Sequence, residues 1–301
     1  MTAKDNTGTK RPLIILTGPT AVGKTALSIG LAKAIQGEII SADSMQVYRG
    51  MDIGTAKITK EQMDGVPHHL IDIMDPSDSF HVMAFQQKCK EAMEDIYARH
   101  KIPILVGGTG FYIQSVLYDI SFTETDTDIE YRQELQKIAE EQGSYVLHAR
   151  LAKIDPEAAD EIHPNNVKRV IRALEFNHQT GEKISIHNEQ ERQRKSPYQF
   201  RYYVLSLPRE ILYDRINRRV DVMRRDGLVD EVKGLLQQGI TPNMVSMQGL
   251  GYKEIIDALQ GSCSFEEAFK RIKRETRHFA KRQFTWFRRE RDVTWIDKET
   301  Y

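Results

Sequence analysis

Cysteine is scarce in this chain, with Cys89 and Cys263 standing far apart as the two among 301 residues. No CxxC pair and no Cys/His cluster at zinc spacing occurs, which excludes a disulfide-stapled scaffold or a zinc finger and leaves two ordinary thiols. Long apolar runs are also missing. None approaches the roughly 18 residues that a membrane-spanning helix requires. The polar, charged segment Met1 to Arg11 has no apolar core of a secretory signal, so the cytoplasm is the expected location. Net charge is absent too, 43 basic residues balancing 43 acidic ones. That sum hides an asymmetry, because Asp119 to Glu161 carries twelve acidic and four basic residues while Lys270 to Arg291 carries ten basic and two acidic. A polyanion is attracted to the second stretch and repelled by the first.

With 40% apolar residues, a chain of 301 can bury a sizeable core, and its length predicts two domains. Short apolar runs bounded by turn residues recur at Leu13 to Leu16, Ile39 to Ala42, Leu70 to Ile73 and Ile104 to Val106, and again at Tyr202 to Leu205. Longer stretches separate them, and His81 to Arg99 shows helical spacing at Val82, Phe85, Cys89, Ala92, Met93 and Ile96. That alternation predicts an α/β protein, a parallel sheet with helices on both faces. From Asp119 to Pro197 no strand-like run appears, and helical spacing shows at Leu135, Ile138 and Ala139, then at Val167, Val170, Ile171 and Leu174. The expected organisation is a discontinuous core, residues 11–118 with 198–301, interrupted by an all-helical insertion at 119–197.

The most specific signal is Gly18-Pro19-Thr20-Ala21-Val22-Gly23-Lys24-Thr25, which matches GxxxxGK[ST]. It follows the first apolar run and leads into a helix-like stretch with Leu27, Leu31 and Ile35 in register. In such a loop the backbone N–H groups wrap phosphate oxygens, Lys24 supplies a point charge, the Thr25 hydroxyl suits Mg²⁺, and the helix N-terminus adds its dipole.

In open α/β sheets the ligand sits beyond the carboxyl ends of the strands. Asp43 follows the second run there, a position that suits either a general base or a turn-capping carboxylate. The fourth run ends in Gly107-Gly108-Thr109-Gly110, where many phosphate-loop ATPases and GTPases place a Mg²⁺-binding Asp. That carboxylate is missing, and the glycines are expected to let a bulky ligand approach the backbone or simply to make a tight turn. Arg219 follows Leu212 and Ile216 one step off their apolar stripe, able to reach a leaving phosphate or to stay solvated. His68 and His69, being adjacent, cannot share a face as metal ligands and read as packing or capping residues. Lys281 to Arg288 mixes cations with aromatics, which suits phosphate contact and base stacking or a core-facing helix.

Taken together, several segments resemble one family: Gly18 to Thr25, Asp43 to Lys57, Pro67-His68-His69-Leu70-Ile71-Asp72 and Gly107-Gly108-Thr109. So do His163-Pro164-Asn165, Lys168-Arg169 with Arg172-Ala173-Leu174-Glu175, Gly251-Tyr252, and Thr276-Arg277 with Ala280 to Arg288. The chain resembles the bacterial tRNA dimethylallyltransferases, also called tRNA isopentenyltransferases, of the IPP transferase family. The resemblance covers nearly all of the chain after Arg11, loosely from Glu124 to Arg150.

The resemblance implies a P-loop NTPase-like core and an insertion that contacts the anticodon stem-loop of tRNA. It implies transfer of a dimethylallyl group from dimethylallyl diphosphate to the exocyclic amine of adenosine 37, with Mg²⁺ as cofactor. By the same analogy Asp43, Lys24, Thr109 and Arg219 are the catalytic residues. Gly18, Pro19, Thr20, Ala21, Val22, Gly23, Lys24, Thr25 and Arg219 hold the diphosphate, and Thr25 touches the metal. Candidate tRNA contacts are Asp43, Ser44, Met45, Gln46 and Thr109 in the core, and Arg132, Lys168, Arg169 and Arg172 in the insertion. Gln248, Gly251, Tyr252, Lys253, Lys281, Arg282, Gln283, Thr285, Trp286 and Arg288 complete that set. A monomer without membrane contact is expected. Two other readings of the phosphate loop are a small-molecule kinase that holds ATP and uses Asp43 as base, and a nucleotide-gated RNA-binding switch.

Overall fold

The computed structural model describes residues 9–122 and 128–299. Most of the polar start, residues 1–8, lies outside them. The chain divides into one compact unit formed by the residues up to Asp119 together with those from Pro197 onward, and a second formed by Ile120–Ser196.

The first unit begins with β1 (Pro12–Thr17), α1 (Lys24–Ile35), β2 (Gly37–Ala42), α2 (Lys60–Met63), β3 (His68–His69), α3 (Val82–Ala98), β4 (Ile102–Gly107) and α4 (Gly110–Leu117). The second unit consists of α5 (Ile129–Glu141), α6 (Ser144–Ile154), α7 (Pro156–Glu161), α8 (Val167–Thr180) and α9 (Ile184–Gln193). The first unit then resumes with β5 (Gln199–Ser206), α10 (Arg209–Arg225), α11 (Leu228–Gln237), α12 (Tyr252–Leu259), α13 (Phe265–Phe287) and β6 (Val293–Asp297).

The six strands form one sheet in the order β3-β2-β4-β1-β5-β6, every neighbouring pair parallel. Side chains alternate across a strand, so the two faces of β1 separate cleanly. Leu13 and Ile15 join the large cluster that contains Phe85, Cys89, Met93 and Ile96 of α3 and Ile113 and Val116 of α4. Leu16 joins Leu212 and Ile216 of α10, and Ile14 packs with Ala32 of α1. Helices therefore cover both faces, and the near-continuous apolar strands are those of a sheet buried on both sides. With its phosphate loop between β1 and α1, this is a P-loop NTPase-like fold.

Local chemistry sets the element ends. His81 caps α3, its Nδ1 accepting the Ala84 N–H at 3.3 Å. Ser264 and Glu267 form a reciprocal capping box at the start of α13. In the second unit, Leu135, Ile138, Leu147, Leu151, Val170, Ile171 and Leu174 build a separate core.

Two expectations about strands need correction. The run Leu70 to Ile73 is not a strand, because pairing stops at His69 and the backbone turns through positive φ at Leu70 (61°) and Asp72 (56°). In the other direction, no apolar run marks β6, since Val293-Thr294-Trp295-Ile296-Asp297 is an edge strand with largely accessible side chains. In α1, Leu31 and Ile35 pack against the sheet, while Leu27 remains 38% exposed.

Candidate active site

A parallel sheet brings the carboxyl ends of all its strands to one edge. That edge collects the loop after β1, Asp43 after β2, the Gly107–Thr109 turn after β4, and the segment leading from β5 into α10. Thr17 and Gly107 fasten the middle of it, the Thr17 hydroxyl donating to the Gly107 carbonyl at 2.6 Å.

The loop takes the conformation its glycines permit. Gly18 has φ 142°, Gly23 has φ 98° as the residue preceding α1, and Ala21 adopts φ 65° between them. Such alternation turns successive N–H groups toward a common concavity, which suits an anion. Lys24 folds over the loop, its Nζ donating to the carbonyls of Gly18 and Pro19 at 2.9 Å each. Burial pushes its pKa down to about 8, and Arg219 adds to that fall while Asp43 opposes it. Arg219 and Asp43 therefore both act on the Lys24 charge. Arg219 is accessible to solvent at its surface, and partial loss of hydration lowers its pKa. Thr25 lies in the first turn of α1 and is exposed.

Asp43 Oδ1 accepts the N–H of Met45 at 2.8 Å and that of Gln46 at 3.3 Å. This is an Asx turn, and it fixes the carboxylate while leaving Oδ2 without a hydrogen bond among the described residues. The turn-capping and general-base readings are thus compatible, one oxygen serving each. Gln46 is held by the carbonyls of Thr55 and Ala56 and by Ser41.

The next segment is anchored by Glu231 of α11. Its carboxylate accepts the N–H groups of Asp52, Ile53 and Gly54 at 2.9, 2.6 and 3.1 Å, and the Tyr252 hydroxyl donates to it at 2.6 Å. No spacing in the sequence connects Glu231 with this loop, and sequence reasoning missed it.

The glycines after β4 make room for the protein itself. A Cβ on Gly108 would lie 2.2 Å from Gln283 Nε2, and one on Gly110 would lie 2.1 Å from Trp286 Nε1. Gln283 Oε1 accepts the Thr20 N–H at 2.8 Å, and its Nε2 donates to the Gly108 carbonyl at 3.0 Å. Thr109 precedes α4, and its hydroxyl caps no backbone N–H.

Several residues expected to touch RNA are engaged inside the fold. Tyr252 is fully buried, and Gln283 is 6% exposed with both ends of its amide used, so neither presents a surface contact. Gly251 is buried with φ 97° at the start of α12, a backbone role. Arg132 makes a bidentate pair with Glu175 at 2.5 and 2.7 Å, and Glu175 is 1% exposed, so this arginine neutralises a buried carboxylate. Met45 packs against Gly249, and Gln248 is exposed but donates to the Pro242 carbonyl.

Other cations are accessible. In the second unit, α8 buries Val170, Ile171 and Leu174 and exposes Lys168, Arg169 and Arg172, none of which has an ion-pair partner among the described residues. In the first unit, Lys253, Lys281, Arg282 and Arg288 are accessible, as is Thr285, and Trp286 is partly buried against Phe111. A cleft of about 660 Å³ opens between α10 and α13, lined by Arg209, Tyr213, Lys281, Phe284, Arg288 and Trp295 among others. Among the described residues, no cluster of three His, Cys, Asp or Glu side chains could hold a metal. No described helix is long and apolar enough to cross a membrane.

Comparison with known proteins agrees with this arrangement. Residues 46–290 match the family model described as IPP transferase. A protein named tRNA dimethylallyltransferase from Lachnoclostridium phytofermentans is 60% identical over 97% of this chain and 93% of its own length. The crystal structure of the full-length tRNA isopentenylpyrophosphate transferase from Bacillus halodurans is 51% identical, covers 96% of this chain and 90% of that one, and superposes with a TM-score of 0.71. A eukaryotic dimethylallyltransferase solved while acting on tRNA is 33% identical, with a TM-score of 0.79 over 96% of this chain and 74% of that one. A phosphate loop, an anchored carboxylate and a strand end without an acidic residue thus occur in a chain that belongs to the IPP transferase family.

Proposed function

We propose that the chain transfers a dimethylallyl group from dimethylallyl diphosphate to the exocyclic amine of adenosine 37, next to the anticodon in tRNA, releasing diphosphate. One observation carries this reading. The phosphate loop and Asp43 share one sheet edge on either side of β4, near enough for the Asp43 charge to act on Lys24, while β4 ends in Gly107 and Gly108 in place of the carboxylate that phosphoryl transfer uses. Carbon departs from the loop-held diphosphate, and no phosphorus need move.

The adenine amine is a weak nucleophile because its lone pair is delocalised into the ring. As the N–C bond forms and the C–O bond breaks, the electron pair of the latter passes to the diphosphate. The amine proton passes to Asp43 Oδ2, a positioned base of the kind that gains about 10² to 10⁴ in rate. Lys24, Arg219 and the loop amides stabilise the charge that grows on the departing oxygen. Thr109, whose N–H donates to the carbonyl of Ala42 at 3.4 Å, sits beside the residue that precedes Asp43, and in this reading its hydroxyl faces the target adenine.

Mg²⁺ fits this site in a limited way. The described residues lack an acidic ligand cluster, and Mg²⁺ commonly keeps several waters and binds through one or two protein groups plus substrate phosphates. The accessible Thr25 hydroxyl is the protein group placed for it. When bound, the ion supplies further neutralisation of diphosphate charge.

The tRNA contacts in this reading come from Lys168, Arg169 and Arg172 in the second unit and from Lys281, Arg282 and Arg288 at the end of α13. Contacts to the anticodon stem-loop offset the unstacking of the target base, which costs a few kcal/mol. Acting on tRNA, the chain works in the cytoplasm, as a monomer.

Incubation with unmodified tRNA, dimethylallyl diphosphate and Mg²⁺ tests the reading. A five-carbon mass gain on the tRNA without ATP supports it. Unchanged tRNA overturns it, and ATP consumption with a small alcohol as acceptor favours the kinase instead.

A further inference from the structure

The phosphate loop has a cationic neighbour that comes from the far end of the chain. A Cβ built on Gly23 would lie 2.9 Å from Lys298 Nζ and 3.7 Å from a terminal nitrogen of Arg215. Both cations therefore crowd the space directly over Gly23, at the mouth of the loop. Neither has an ion-pair partner among the described residues, nor does Arg219 one turn along α10 from Arg215.

The sheet topology explains how Lys298 reaches this place. β1 and β6 both flank β5, all three run parallel, and their carboxyl ends share one edge. The register of β5 with β6 ends at Ser206 opposite Asp297, and the next residue is pinned by its own N–H donating to the Ser206 carbonyl at 3.1 Å. On the other side of β5, Gly18 packs so closely that a Cβ would come within 2.6 Å of the Leu205 carbonyl. The residue after β6 and the loop after β1 are thus held on opposite sides of one strand end, and the long lysine side chain bridges them.

Like charges gathered without counter-ions repel each other, and the arrangement is favourable when an anion occupies the space between them. We propose that Lys298, together with Arg215, forms an outer cationic wall of the phosphate cradle that binds the diphosphate of the donor and the pyrophosphate it leaves behind. This rests on the reading of the loop as a diphosphate cradle. Breaking the C–O bond sends its electron pair to the leaving oxygen, so pyrophosphate carries one more negative charge than the esterified group. The wall therefore holds product at least as firmly as donor, and its loss weakens product inhibition.

The test is titration of inorganic pyrophosphate into the full-length chain by calorimetry, with and without Mg²⁺, alongside transfer kinetics. Removing one charge-assisted interaction in Lys298→Ala is expected to raise the pyrophosphate Kd about 10-fold, with a parallel rise in the product-inhibition constant. Lys298→Arg should recover most of that loss, Lys298→Glu should deepen it, and the KM for tRNA should stay unchanged in all three. A merely structural role for Lys298 would move tRNA and pyrophosphate together and would not be rescued by arginine. Pyrophosphate binding by Lys298→Ala equal to that of the native chain overturns the proposal even where the native chain prenylates tRNA. If the native chain binds pyrophosphate, loses that affinity in Lys298→Ala and yet adds no five-carbon unit to tRNA, the wall stands and the transfer reading falls.

Discussion

The side-chain carbonyl of Gln283 accepts the N–H of Thr20 at 2.8 Å, tying the helix near the end of the chain to the phosphate loop near its start. The other end of the same amide holds the Gly108 carbonyl. Gln283→Glu keeps the acceptor but loses the donor and places a carboxylate beside the diphosphate. We expect it to lower kcat/KM for the prenyl donor by about 10-fold to 100-fold, because repulsion adds to one broken hydrogen bond. Gln283→Leu should lose both bonds without the repulsion and give a smaller effect on donor affinity. Steady-state kinetics of the two variants check this ordering.

Asp43 divides its labour between a turn and a base, and the division can be tested. Asp43→Asn retains an oxygen for the Met45 and Gln46 N–H groups but cannot take a proton. Turnover should fall about 10² to 10⁴-fold, as for other general bases, while pyrophosphate affinity changes little. Unchanged single-turnover rates would remove Asp43 from the chemistry.

The pH dependence of ligand binding follows from Lys24, whose pKa burial and Arg219 lower from 10.5 to about 8. In the free protein the ammonium loses its proton as pH rises through about 8, and a bound diphosphate draws the proton back. Binding above pH 8 should therefore take up a proton, and affinity should decline there. Calorimetry in buffers of different ionisation enthalpy measures the uptake, which Lys24→Met should abolish. The folding sign is opposite to that of a paired base: a desolvated ammonium costs stability below about pH 8, and the cost fades toward pH 10.5.

Stability in acid should depend on a group at the other edge of the sheet. Glu38 of β2 is 2% exposed, and burial alone would raise its pKa. Bonds from Arg99, Lys101 and His69 override that and hold it down at about 2, against an ordinary 4.5. Its contribution is thus complete above about pH 4.5 and is lost as pH falls toward 2. Removing Arg99 and Lys101 together strands a buried carboxylate and should cost about 3 to 5 kcal/mol at pH 7, read by urea denaturation. The same double variant should be less sensitive to acid between pH 4.5 and 2, since the stranded carboxylate already holds a raised pKa.

The exposed basic face of α8 should bind RNA backbone. Replacing Lys168, Arg169 and Arg172 by Glu is expected to weaken tRNA binding strongly. Replacing them by Ala should flatten the salt dependence by about 0.7 to 0.9 for each phosphate that is no longer neutralised. The KM for the prenyl donor should not change. Filter binding across a salt series measures the slope.

Much of this arrangement is written locally in the sequence. The phosphate loop, the strands Pro12–Thr17 and Ile102–Gly107 and the helix Val82–Ala98 follow from glycine placement and apolar periodicity. What local reading misses are partners brought by topology. Gly108 and Gly110 are small because Gln283 and Trp286 pack on them, and no spacing reveals that pairing. Glu231 looks like any helical surface acid, yet it organises the Asp52–Gly54 backbone. Arg132 looks like a free RNA contact until Glu175 is seen beneath it. Lys298 follows a strand too short and too exposed to announce itself, so its approach to Gly23 depends on a sheet order that only the folded chain displays.

A crystal structure with a non-reactive thio-analogue of dimethylallyl diphosphate gives the most direct measurement. The expected result is the diphosphate seated on the Gly18–Thr25 amides, with Lys24 Nζ turned from the Gly18 and Pro19 carbonyls onto phosphate oxygen and the prenyl carbon pointing toward Asp43. An empty loop, with the analogue lodged elsewhere, would contradict the assignment of that loop to the leaving group.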